Sequence, residues 1–229
     1  MEWKKDGHVD HLTNELYDDF DEGDYRSPDA ALLCIDLQYY DCAPGYGFFK
    51  DITRDDEQYS YYFDRLEDTV LPTVKKLQDL FRNAGQEVIH VKMESLTRDG
   101  RDRSAGHKRI GCHVVKGTRE AEFMDEIAPE GDEVIITKTA SGVFNSTNID
   151  YVLRNLGIRQ LVVVGVLTNE CIDTTVRDGA DRGYHMTIVE EGVATTSEEI
   201  NAFTLSILNG VYAKVLPYEK IRRSLEEGR

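Results

Sequence analysis

Short apolar runs alternate with helical periodicities along most of this chain. From Ala30 onward, runs at 31–36, 87–93, 133–137, 160–166, 185–190 and 212–216 have strand length and are rich in Val, Ile and Leu. The stretches between them repeat apolar residues every three or four positions. In 61–84, Leu66, Val70, Val74, Leu77 and Phe81 fall on one helical face, Gly85 supplies the stop, and Pro72 is expected to kink the helix. In 146–156, Ile149, Val152, Leu153 and Leu156 share a face and Gly157 ends it. A third helix is expected to start near Thr168, an N-cap type residue, carrying Ile172, Val176 and Ala180 inward before Gly183. Repeated strand–helix units imply an α/β fold with a mostly parallel sheet. The run 161–166 is apolar except at Gly165, as expected of a central strand covered by helices on both faces.

Residues 1–27 are rich in Asp, Glu, Gly and Tyr without a sustained period. They read as an N-terminal arm, either a surface tail or a segment packed on a neighbouring subunit. No repeat or linker divides 28–229, which reads as one domain. The start lacks a basic-then-apolar leader pattern, and no apolar run approaches the roughly 18 residues that span a bilayer. A soluble, cytoplasmic protein is expected. The formal charge of −16 at pH 7 disfavours nucleic acid and anionic membrane as partners. One basic stretch, 98–109, runs against that balance. The four cysteines, Cys34, Cys42, Cys112 and Cys171, form no C-x-x-C pair, which leaves no zinc knuckle or thioredoxin-type motif and fits reduced thiols.

In open parallel sheets, ligands bind beyond the carboxyl ends of the strands. Three reagents stand at such ends: Asp36 closes the first run, Lys138 follows the third, and Cys171 comes one helical turn after the fourth. A thiol attacks as thiolate, and a helix N-terminus with a nearby lysine is expected to lower its pKa. A carboxylate beside it takes that proton and returns it to a leaving nitrogen, while an ammonium compensates the developing charge. Backbone N–H groups around Leu167 to Cys171 point toward an oxyanion. Taken singly, a cysteine at a strand–helix junction is a packing residue as readily as a nucleophile, Asp36 a cap, and Lys138 a solvated surface group. Their common placement on one sheet edge is what favours chemistry.

At these residues the sequence resembles the isochorismatase-like cysteine hydrolase superfamily, which includes nicotinamidases and carbamoylsarcosine, ureidoacrylate and biuret amidohydrolases. Leu33-Cys34-Ile35-Asp36-Leu37-Gln38 resembles the I-D-x-Q opening, residues 138–147 the lysine segment, and Gly165-Val166-Leu167-Thr168-Asn169-Glu170-Cys171 the G-x-x-T-x-x-C turn. The resemblance covers about 29–216. It implies a three-layer α/β/α fold around a six-stranded sheet in which the first and fourth strands are neighbours. It also implies Cys171 as nucleophile, Asp36 as base and acid, Lys138 as charge partner, and a cis bond before Leu167 that turns the N–H groups of Leu167 and Cys171 into an oxyanion hole. No cofactor is expected. Nicotinamidases carry an Asp-x-His and a further His for a metal, whereas Gln38-Tyr39-Tyr40-Asp41-Cys42 follows the first strand here. His90 reads as a core histidine, and His8 and His11 in the arm are weak metal-ligand candidates.

The expected partner is a small amide or ureide, hydrolysed through a Cys171 thioester, and the family is usually oligomeric. Candidate substrate contacts are Gln38 and Asn169, whose amides suit urea-like groups, Phe144 in the lysine segment, and Arg98. The loop 95–104 reads as a self-paired charge run ahead of the alternative, in which one of its arginines clamps a substrate carboxylate. Tyr39, Tyr40, Tyr46, Phe48 and Phe49 form either a pocket wall or a subunit interface. The rival functions are a non-catalytic scaffold, a thiol-redox protein pairing Cys171 with Cys42, and a hydrolase of a non-amide substrate such as isochorismate.

Overall fold

In the computed structural model, which describes residues 23–226, the apolar runs become β1 (Ala30–Ile35), β2 (Glu87–Met93), β3 (Val134–Lys138), β4 (Gln160–Val166), β5 (His185–Ala194) and β6 (Lys214–Leu216). They form one sheet, ordered β3-β2-β1-β4-β5-β6, and every pairing is parallel. The helices are α1 (Tyr39–Cys42), α2 (Ser60–Arg65), α3 (Leu71–Ala84), α4 (Ala105–Ile110), α5 (Ile149–Leu156), α6 (Asp173–Asp181), α7 (Glu198–Leu208) and α8 (Tyr218–Glu226). Alternate side chains of β1 feed two cores. Leu32 and Cys34 pack with Phe63, Leu77, Phe81 and Ile221 from α2, α3 and α8. Leu33 and Ile35 pack with Leu153, Val176 and Leu205 from α5, α6 and α7. This is the expected three-layer arrangement, with β4 buried along its length after Gln160. Among the described residues no helix is long and apolar enough to cross a membrane.

Several boundaries differ from the sequence expectation for local reasons. The helix expected from 146 begins at Ile149, because the hydroxyls of Ser146 and Thr147 donate to the carbonyls of Gly142 and Val143 and Thr147 Oγ1 also accepts from Ile149 N–H. A π turn, Leu66–Val70, joins α2 to α3 just ahead of Pro72. Proline has no N–H for the carbonyl four residues back, so the departure from α geometry sits where a partner is missing. β5 continues past Glu190 to Ala194, and its pairing with β4 shifts register between Val163 and Gly165. The start of β6 moves to Lys214 because the segment before it turns, with Gly210 N–H bonding to Ala213 O.

Of the expected arm, residues 1–22, including His8 and His11, lie outside the described residues. The following stretch is docked: Tyr25 is buried with its hydroxyl 2.9 Å from Thr187 Oγ1, and Gln86 donates to the carbonyls of Tyr25 and Ser27.

At Gly165, β4 lies directly against the backbone of Ile35 in β1. The glycine's φ is +131°, and an added Cβ would lie 2.0 Å from Ile35 O and 2.9 Å from Ile35 N, both in a neighbouring backbone that has no rotamer to change. Gly165→Ala is therefore expected to cost roughly 3 kcal/mol or more in a urea unfolding experiment. Gly85→Ala, at φ +70° with nothing within 4 Å of the added carbon, should cost only about 1–2 kcal/mol.

Candidate active site

The winding direction reverses between β1 and β4, so the residues leaving those two strands meet at the carboxyl edge of the sheet. Asp36 follows β1 at once, in left-handed backbone conformation with φ 55°, while its N–H still bonds to Val91 O. A non-glycine residue there costs about 1–2 kcal/mol and is found mostly where function sets the geometry. Cys171 lies in a π turn, Thr168–Ile172, between β4 and α6. Lys138 ends β3, two strands from Asp36, and its long stem crosses the end of β2 to reach the same point.

Lys138 Nζ lies 2.8 Å from Asp36 Oδ2 and 3.3 Å from Cys171 Sγ, and donates to Ala140 O at 2.9 Å. Exposure is 0% for Lys138, 1% for Asp36 and 5% for Cys171. The three reagents named from the sequence are in contact inside the protein. The peptide bond between Val166 and Leu167 is cis, at the place the resemblance implied. Thr168 does not cap the turn; its hydroxyl donates instead to Asn201 Oδ1 of α7 at 2.6 Å.

Burial sets the electrostatics. It works against the Lys138 ammonium, but Asp36 and Cys171 outweigh it and hold the lysine above its ordinary pKa. Burial raises Asp36 above the carboxylate range, with Lys138 opposing that rise, which turns an inert anion into a proton acceptor of useful strength. Burial likewise drives the Cys171 thiol well above its usual value; Lys138 opposes this and Asp36 adds to it. The expected lowering of the thiol pKa is thus reversed in the resting site. The sulfur holds its proton beside a base that can take it.

Cys171 opens on a narrow pocket whose lining includes Asp41, Phe48, Met93, His107, Ile110 and Leu167. A second small cavity, bordered by Arg103, Lys138 and Thr139, shares His107, Met93 and Cys112 with it. None of the four substrate contacts named from the sequence lines either one. Gln38 is fully buried, with its amide nitrogen donating to Met93 O and Ala121 O and its oxygen accepting from Met93 N–H. It stitches the first loop to β2. Asn169 is exposed and holds Thr195. Phe144 packs in the core against Tyr184 at 5.4 Å. Arg98 is exposed, in a loop whose Asp102 is spent on the N–H groups of Leu96 and Thr97 and whose Arg101 pairs with Asp99. That is the self-paired reading of 95–104.

Of the aromatic cluster, Phe48 reaches the pocket, whereas Phe49 packs against Tyr59, Tyr62 and Phe63. His90 bonds to Glu133 at 2.9 Å, as a core histidine should. Among the described residues, no group of three or more His, Cys, Asp or Glu is disposed to hold a metal ion. All four cysteines are buried and unpaired by disulfide.

A family model described as the isochorismatase domain matches residues 30–219. Nicotinamidase 3 of Arabidopsis thaliana is 27% identical over 209 residues, covering 88% of this chain and 91% of that protein. A ureidoacrylate amidohydrolase of Agrobacterium fabrum is 30% identical over 137 residues, 53% of this chain and 60% of its own. In fold, a cysteine hydrolase from Pseudomonas syringae pv. phaseolicola superimposes with TM-score 0.74 at 21% identity, covering 88% of this chain and 94% of that one.

His107, which no motif in the sequence marks, touches both cavities. Burial, then Lys138 and Arg103, depress its pKa from 6.5 to about 4. Between those values the unfolded chain carries a proton on this ring that the folded protein lacks, so acidification from pH 6.5 toward 4 favours unfolding. Thermal melts across that window should show His107→Asn losing less stability on acidification than the parent chain. Parallel losses in the two proteins would contradict the depressed value.

Proposed function

The chain belongs to the isochorismatase family, and we propose that it is a cysteine amidohydrolase that cleaves the C–N bond of a small amide or ureide. The observation that carries this reading is the buried contact of Lys138 Nζ with both Asp36 and Cys171. A scaffold protein has no use for a charge pair buried against a thiol. The names of the nicotinamidase and the ureidoacrylate amidohydrolase support the same bond class.

The chemistry follows from the protonation states. As the substrate carbonyl carbon approaches Sγ, the thiol proton passes to Asp36, and Lys138 stabilises the charge left on the cluster. The tetrahedral oxyanion is met by the N–H groups of Leu167, just before the π turn, and of Cys171 within it. Asp36 returns its proton to the departing nitrogen, which leaves as ammonia or an amine. The thioester is then hydrolysed by water that gives its proton to the same carboxylate, and the thiol is regenerated as the acid departs. This sequence runs on protein groups alone.

An ammonia-release screen of carboxamides, ureides and biuret, run with a chelator present, is expected to find a substrate. With it, Cys171→Ala should abolish turnover and Asp36→Asn should lower kcat by about 10²- to 10⁴-fold, with circular dichroism showing both variants folded. Full activity in Cys171→Ala, or turnover lost whenever the chelator is added, would overturn the mechanism.

A further inference from the structure

The pocket contains a buried acidic group for which the thioester mechanism has no use. Asp41, on α1, is 4% exposed, lines the pocket beside Cys171, and its Oδ2 is buried without a hydrogen-bond partner among the described residues. Its backbone is fixed, since the hydroxyl of the fully buried Tyr62 donates to Asp41 O at 2.8 Å. A carboxyl oxygen left short of donors in the interior is costly unless something arrives to satisfy it. We propose that Asp41 is the specificity residue of this site, accepting an N–H from a small uncharged amide or ureide and disfavouring substrates that carry a carboxylate at that end.

The surroundings support this choice. The other formal charge on the pocket wall is Glu170, also acidic. The nearby cation, Lys138, is committed to Asp36, Cys171 and Ala140 O. His107 is neutral at ordinary pH, with its pKa at about 4. Arg103 borders only the neighbouring cavity and is tied to the carbonyls of Gly100 and Cys112. An incoming carboxylate would thus meet two acids and no uncommitted cation, whereas an amide N–H would supply the missing donor. Burial, followed by the charges of Asp36 and Glu170, pushes the Asp41 carboxyl well above its usual range, and Lys138 opposes this only in part. An N–H arriving from a substrate favours the ionised form of this acid, whereas a second carboxylate beside it disfavours that form. The remaining lining, Phe48, Met93, Ile110, Cys112, Val166 and Leu167, is apolar, which suits a compact uncharged molecule.

This assignment rests on the amidohydrolase reading, and its test is a reaction that needs the thiol but no turnover. Iodoacetamide and iodoacetate alkylate thiols by the same displacement and differ in whether the end group is an amide or a carboxylate. Their rates at Cys171 of the full chain, followed by mass spectrometry of the peptide, are compared with their rates on glutathione. The preference for iodoacetamide should exceed that of glutathione by at least about tenfold, the scale of one hydrogen bond to a charged group. Asp41→Asn should bring it within about threefold of glutathione, and Asp41→Ala provides a second variant should the first unfold. An unchanged preference in the folded variants, no preference in the parent chain, or failure of both reagents to reach Cys171 would each overturn the assignment. Selective alkylation by a chain that releases no ammonia would sink the hydrolase reading alone, while turnover with unselective alkylation would sink the role of Asp41 alone.

Discussion

The ion pair between Lys138 and Asp36 is the constraint on which the site depends. Its two charges are out of water, at 0% and 1% exposure, and each alone would cost several kcal/mol to bury. They offset one another across 2.8 Å, and the lysine spends a further hydrogen bond on Ala140 O. A pair held this way fixes the acid beside the sulfur without releasing it to solvent. It also gives the cluster a charge balance in which one proton can move from sulfur to oxygen and back. A surface pair would have neither property, because water would screen it and the side chains would be free to separate.

Bringing these groups together is the work of topology. Asp36 and Cys171 are neighbours because β1 and β4 pair at the point where the winding reverses, and Lys138 joins them because its stem is long enough to pass over the end of β2. At Gly165 the pairing leaves no room for a side chain against Ile35. From there β4 runs through the cis bond into the π turn that carries the sulfur. The residues leaving β1 then enter α1 and place Asp41 in the wall of the same pocket. One glycine and one strand order therefore govern both the reacting groups and the shape of the space in front of them.

The strands were legible because burial on both faces leaves continuous apolar runs, and the reagents were legible because they stand where such runs end. The end of β5 was hidden by Glu190 and Glu191, which interrupt a run that resumes at Gly192. The start of α5 was hidden because Ser146 and Thr147 suit a helix in composition but spend their hydroxyls on backbone carbonyls. Gln38, Phe144, Asn169 and Arg98 lie close in sequence to the reacting residues, yet sequence proximity does not say which way a side chain points. The residues that do line the pocket come from loops whose meeting is a tertiary event: Asp41 and Phe48 after β1, His107, Ile110 and Cys112 after β2, Glu170 after β4. An acid set among the aromatic residues that follow β1 was the available hint of Asp41. The pKa of Cys171 was misjudged for a related reason, since the cation beside it can be read from the motif and the extent of its burial cannot.

The most direct test of the buried pair is a double-mutant cycle read by urea unfolding, with Asp36→Asn, Lys138→Met and the two combined. Each single change strands a charge in the interior and should cost about 3–5 kcal/mol. The double variant, with neither charge present, should be more stable than the sum of the two losses predicts by at least about 1–2 kcal/mol. Losses that add to within about 0.5 kcal/mol would mean that the two side chains do not sense one another, and the account of this site as a charge-balanced proton relay would be wrong.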